Sequence, residues 1–326
     1  MHLHNVPAPA KLNLFLHVTG RRADGYHLLQ TAFRFIDLSD TLNFERVGDG
    51  AIVYESPIPG MSAQDDLVFK AATALRETTG TKWGARISCV KRIPPGGGLG
   101  GGSSNAATTL IALNRLWETG LTRRELMELA LPLGADVPVF IFGQPAFAEG
   151  VGEILRPIEL SPSAYLVVRP AVHVSTGDIF TDPNLTRDTK PIKISVFADW
   201  LLKQQRIEQQ QTQGERQHES HAEQNKTQAY GLHAYFGRND LEPVVRARYP
   251  KVEKALAFLA QNQIPARMTG SGSCLFAQFV THGQALLNQQ KIIGKIPNCG
   301  NTVPVIDETW VCHGYVDHPL RYWTKD

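Results

Sequence analysis

The sequence predicts a two-domain α+β protein, and three observations carry that prediction. The chain has 326 residues, about twice the usual domain length. Near the N-terminus, residues 11–18 alternate with period two, the mark of a β-strand. Further on, a strand-like run enters a glycine tract and then an alanine-rich apolar helix, and a fresh strand at Tyr165 to Arg169 opens a second unit. We place the boundary near residue 158, giving units 1–158 and 159–326.

Element by element, Leu12, Leu14, Leu16 and Val18 share one face of the first strand, while Lys11, Asn13, Phe15 and His17 share the other. That pattern predicts one buried and one open face. Asp24-Gly25 marks a turn, and Leu28 to Leu38 continues as a strand, so the unit reads as strand–turn–strand. Thr41 to Glu45 and Ala51 to Tyr54 read as short strands. Leu67 to Thr78 has helical spacing and stops at Gly80. Ala85 to Ile93 is a strand that runs into Pro94 to Ala107, PPGGGLGGGSSNAA, followed by a helix from about Asn105 to Thr119 ended by Gly120. Thr122 and Glu125 have capping-box spacing and start another helix. Helices are predicted near Ile194 to Glu208 and Pro250 to Gln261, with a glycine-rich turn at Thr269 to Phe276. The stretch Gln204 to Gln228 holds nine glutamines and almost no aliphatic side chains, so it reads as a polar, mobile insertion or an overlong helix end.

Composition excludes several classes. Thirty-three basic against thirty-one acidic residues give a net charge of +2, which argues against nucleic-acid partners. The four cysteines are scattered without a C-x-x-C pair, so neither a disulfide framework nor a zinc ribbon is expected, and a reducing cytoplasm is the expected compartment. No apolar run approaches the ~18 residues of a membrane span. The opening MHLHNVPAPAK has no charged start followed by an apolar core, so no secretory signal is expected.

The glycine tract carries the chemistry. Six glycines among the seven residues Gly96 to Gly102, broken only by Leu99, stand between a strand and a helix. Glycines admit close backbone approach, and the following helix offers free N–H groups and a positive dipole end, which together favour a phosphate. Two common phosphate loops fail here. Gly102 occupies the place of the P-loop lysine. Glu118, at the spacing of the acid a dinucleotide fold requires, falls at a helix end rather than a strand end.

PPGGGLGGGSSNAA resembles the second motif of the GHMP kinases, P-x-G-x-G-L-G-S-S-A. Pro9 to His27, Leu133 to Phe140, Phe147 to Glu153 and Thr269 to Phe276 are similar to further motifs of one branch of that family, which phosphorylates a cytidine diphosphate methylerythritol. The match starts at Pro9, leaving no room for a transit peptide. The resemblance implies a ribosomal S5 domain 2-like N-terminal domain, a ferredoxin-like C-terminal domain and an active site between them. It implies that ATP, with Mg²⁺, phosphorylates the C2 hydroxyl of the methylerythritol unit in non-mevalonate isoprenoid precursor synthesis. Asp136 and Lys11 match the family's catalytic pair. A carboxylate at a helix end is usually structural, but Ala135, Val137 and Pro138 give little reason for a charge there. Pro95, Gly96, Gly97, Gly98, Leu99, Gly100, Gly101, Gly102, Ser103, Ser104 and Asn105 would bind the nucleotide, with Ser104 a weak candidate for magnesium and no carboxylate metal cage in view. Asn13 would position the substrate, Tyr26 and Phe180 would stack on cytosine, and His27 would bond its polar edge. Asp66 stands where the family commonly has asparagine beside adenine, and a carboxylate cannot donate. The expected state is a monomer or weak homodimer. The rivals are another GHMP kinase of mevalonate or homoserine type, whose substrates carry no base, and a non-catalytic nucleotide-binding module.

Overall fold

The computed structural model describes residues 1–57, 60, 62–217, 235–295 and 304–326, with side chains omitted for 207–217. Of Gln204 to Gln228, residues 204–217 are helical and 218–228 lie outside the described residues. The chain opens with two long strands, β1 (His2–Arg21) and β2 (His27–Val47), paired antiparallel along almost their whole length. The predicted Leu28 to Leu38 and Thr41 to Glu45 strands are thus one continuous element. The free edge of β2 binds β4 (Gly84–Val90) along its C-terminal half and β5 (Ala146–Glu149) along its N-terminal half. Strands β3 (Ile52–Tyr54) and β6 (Ile154–Pro157) complete the sheet. A second sheet has the order β10-β7-β9-β8, from β7 (Ala164–Pro170), β8 (Arg267–Met268), β9 (Leu275–Phe279) and β10 (Ile306–His313).

Helices α1 (Leu67–Thr79), α2 (Gly101–Leu116), α3 (Arg123–Ala130) and α4 (Val137–Phe142) share one apolar core with the first sheet. Helix α1 ends at Gly80 in the left-handed region, and α3 begins with the predicted capping box. Helix α5 (Thr176–Phe180) and α6 (Ile194–Gln217) follow β7. Helices α7 (Glu242–Arg248), α8 (Pro250–Gln261) and α9 (His282–Ile293) cover the second sheet.

Two expectations are corrected. β1 is buried on both faces, not one: Leu12 packs against Tyr165 and Phe276 of the second sheet, while Phe15 packs against Phe147 and Phe197. Phe147 of β5 and Phe197 of α6 cover Phe15 on what would be the open face, and Lys11 on that face is buried as well. Helix α2 starts at Gly101, four residues before the predicted Asn105, so the helix begins inside the glycine tract. Its cap residue is Gly100, at φ +72°, and no side chain caps it. Ser103 and Ser104 lie within the helix.

After β10 the chain returns to the first sheet. The Tyr315 and His318 N–H groups donate to Phe35 O and Gly143 O, and Arg123 donates to Ile141 O and Arg321 O. His318 lies edge-on to both Phe35 and Phe140, and burial pushes its imidazole down to about 3. This neutral ring and the tail around it brace α4, the helix that follows Asp136.

Candidate active site

A cleft of about 840 Å³ runs between the glycine tract and the β1–β2 turn. Lys11 sits on its floor. The Lys11 N–H donates to Leu99 O at 2.9 Å, tying β1 to the glycine tract. The side chain is only 3% exposed, so its charge needs compensation. It reaches Asp136 Oδ2 at 3.1 Å and donates to Asn13 Oδ1 at 2.5 Å. An ammonium has three donors, and the third has no partner among the described residues. Asn13 is fixed in turn: its Nδ2 donates to Thr31 Oγ1 at 2.9 Å, and its N–H to Thr269 Oγ1 at 2.8 Å. Asp136 holds the N-cap position of α4 yet makes no capping hydrogen bond. Its side chain is 36% exposed and lines the cleft, so the structural role expected of a helix-end carboxylate is not the one it performs.

At one end of the cleft the glycine tract meets the second glycine-rich turn. Gly98 adopts φ +71°, and a Cβ there would lie 2.3 Å from Thr269 O. Gly98 therefore serves the approach of two backbones to each other. Gly100 plays the other part, since a Cβ there would press on Lys11 Cε at 3.0 Å. Pro95 to Ser103 line the cleft. Ser104 and Asn105 do not: both are buried on α2, with Ser104 Oγ and Asn105 Oδ1 lacking any protein partner. A cation absent from the expected set also lines this end. Lys91 is paired with the fully buried Asp40, whose Oδ1 accepts from the Arg92 and Ile93 N–H groups at 2.7 and 2.8 Å. Its only signal in the sequence is a basic residue just before the tract. Asp66 caps α1, its Oδ1 accepting from Val68 N–H at 2.8 Å.

The other end is built from side chains. Asp24 Oδ1 accepts from the Tyr26 N–H at 3.1 Å and shapes the turn that leaves Tyr26 62% exposed. His27 is buried beside Phe180, ring centroids 5.1 Å apart. Burial, then the nearby Arg187 and Arg21 charges, lower its proton affinity below the usual histidine range. Arg187 was not legible as a site residue. It lies 160 positions from His27, and only the fold joins them.

Comparison with known proteins follows this geometry closely. Family models for the GHMP kinases N terminal domain and the GHMP kinases C terminal match residues 66–144 and 225–289. A 4-diphosphocytidyl-2-C-methyl-D-erythritol kinase from Bordetella parapertussis is 54% identical over 99% of both chains. One from Aromatoleum aromaticum is 48% identical over 98% of this chain and 96% of the other. This chain belongs to the 4-diphosphocytidyl-2-C-methyl-D-erythritol kinase family of GHMP kinases. A crystal structure titled as 4-(cytidine 5'-diphospho)-2C-methyl-D-erythritol kinase superposes with a TM-score of 0.72 at 29% identity, covering 96% of this chain and 99% of that one. The two sheets and their helices are the N- and C-terminal GHMP kinase domains, and the kinase activity uses ATP. Among the described residues no helix is long and apolar enough to cross a membrane.

Proposed function

We propose that the protein transfers the γ-phosphoryl group of ATP to the C2 hydroxyl of 4-(cytidine 5'-diphospho)-2-C-methyl-D-erythritol. The observation that carries the reading is the Lys11–Asp136 pair, 3.1 Å apart, on a cleft with a glycine cradle at one end and an aromatic pocket at the other. Phosphoryl transfer asks for alignment and charge neutralisation more than covalent help. Asp136 accepts the hydroxyl proton as the C2 oxygen attacks. Lys11 balances the carboxylate and offers its remaining N–H to charge on the transferring group. Asn13, locked by Thr31 and Thr269, holds Lys11 on that line. Pro95 to Ser103 and the N-terminus of α2 take the ATP phosphates, with Lys91 nearby. Tyr26 and Phe180 stack on the base, and His27 bonds its edge.

The phosphate end fits Mg²⁺. Ser103 lines it, so its hydroxyl and the phosphate oxygens would hold the ion, whereas the Ser104 hydroxyl is buried on α2 and does not reach the cleft. Bound magnesium neutralises the phosphate oxygens. Residues 1–158 form the ATP-binding unit and 159–326 the C-terminal unit. The protein works in the cytoplasm on small molecules alone, as a monomer or weak homodimer, a reading supported by its +2 net charge and its unpaired Cys89, Cys274 and Cys312.

A coupled ADP-release assay with the cytidine substrate, mevalonate and homoserine tests the reading. Turnover of the cytidine substrate alone is expected. Turnover of either of the others in its place overturns it.

A further inference from the structure

Arg187 touches two walls of the aromatic pocket at once. Its Nη2 donates to Phe180 O at 3.0 Å and to Asp182 O at 2.7 Å, and its Nη1 donates to Leu185 O at 3.1 Å. Of the two N–H groups left, the one on Nε points at His27 Nε2 from 3.1 Å. A guanidinium only donates, so His27 Nε2 must accept and cannot carry a proton. In a neutral ring the proton then sits on Nδ1. That nitrogen has no protein partner among the described residues, and the ring lines the cleft.

We propose that Arg187 is a specificity-determining residue: by occupying His27 Nε2 it fixes the imidazole as an Nδ1–H donor, which selects cytosine over uracil. The proposal rests on the cytidine reading above. Cytosine offers acceptors at N3 and O2. Uracil offers an N3–H donor, which would face another donor. A ring free to exchange tautomers could satisfy either base, so the arginine turns a permissive histidine into a selective one. The charged groups facing the ring are Arg187 and Arg21, and both disfavour the imidazolium. Asp182, the nearby acid, directs its carboxylate to Arg248 at 3.2 Å. The single tautomer therefore persists through neutral pH.

The direct test needs no substrate. Long-range ¹H–¹⁵N spectra of ¹⁵N-histidine-labelled protein report which ring nitrogen is protonated, and the His27 signal is assigned by its loss in His27→Gln. The Nδ1–H tautomer is expected between about pH 6.5 and 8. An Nε2–H tautomer, or an even mixture, overturns the proposal.

The second test measures binding of cytidine and uridine monophosphates by calorimetry, independently of turnover. Arg187→Ala should lower the cytidine preference by about tenfold at pH 8. Acidification should restore it in this variant, because an imidazolium donates from both nitrogens. An arginine that only props the loop gives no such recovery, and absence of recovery overturns the proposal. His27→Glu keeps an acceptor for Arg187 Nε, and its ionised carboxylate offers no donor, so it should lose the preference with the fold intact. If it keeps the full preference, the proposal fails. Failure of the wild-type protein to phosphorylate the cytidine substrate would strike the functional reading instead, leaving the tautomer and nucleotide-binding results to be judged by themselves.

Discussion

At the end of the cleft proposed to take phosphate a glycine-rich main chain forms much of the surface, and at the end proposed to take the base side chains do. The glycine tract lies so close to the Thr269–Gly272 turn that a methyl group at Gly98 would sit 2.3 Å from a carbonyl oxygen. The base end is assembled from Tyr26 at a turn, His27 at the start of β2, Phe180 at the end of α5 and Arg187 beyond it. A backbone surface suits a ligand part that is charged and common to many substrates. Side chains suit the part that distinguishes one substrate from another, because each can be exchanged without rebuilding the chain. Changes at the first end should therefore damage folding and ATP use together, while changes at the second should damage recognition alone.

Where the two ends meet, the expected effect is largest. Asp136→Asn keeps shape but removes charge and proton affinity. It should cost about 10²–10³ in kcat, roughly 3–4 kcal/mol, toward the lower part of the general-base range because proton transfer is late in a loose transition state. Lys11→Met should cost a comparable factor, and the double variant should fall well short of the product. Single-turnover phosphate transfer decides this. A loss below threefold in Asp136→Asn leaves alignment and helix-end electrostatics to carry the reaction.

Gly98→Ala probes the backbone end. The positive φ costs ~1–2 kcal/mol, and the clash with Thr269 O adds to it, so about 2–3 kcal/mol of stability should be lost. Urea unfolding should show the loss, accompanied by a raised KM for ATP. Tyr26→Ala is the contrasting case. Its ring is 62% exposed, so stability should hold within about 0.5 kcal/mol while substrate binding weakens by about 1–3 kcal/mol and ATP binding is unchanged. Equal losses for ATP and substrate would erase the distinction between the ends.

The phosphate end was far more legible in the sequence than the base end, for a physical reason. Pro95 to Ser103 are contiguous, and a glycine tract between strand and helix has few other uses. Even so, its details escaped. Glycines disfavour helix, so the start of α2 at Gly101 contradicts local propensity, and tertiary packing beneath the tract overrides it. The alternation in β1 marked a strand but not β5 and α6, which cover Phe15 on its other face. Arg187 reaches the site only through the fold, and no local pattern distinguishes it from a solvated residue.

Asp66 should give the smallest effect, and it tests whether the phosphate end extends to this residue. The sequence raised a conflict, because a carboxylate stands where an amide could donate to adenine. In the structure the conflict recedes, since Asp66 Oδ1 already accepts from Val68 N–H at 2.8 Å as the cap of α1. Aspartate and asparagine cap helices about equally well, so Asp66→Asn should leave stability within about 0.5 kcal/mol. Asp66→Ala removes the cap and should cost about 1 kcal/mol. If capping is the whole role, KM for ATP in Asp66→Asn stays within about twofold, a difference under 0.5 kcal/mol. A KM lower by about tenfold would be worth ~1.4 kcal/mol, the size of a hydrogen bond gained by the new amide. That outcome would place adenine against residue 66, and would mean that one side chain at the backbone-built end also reads its ligand.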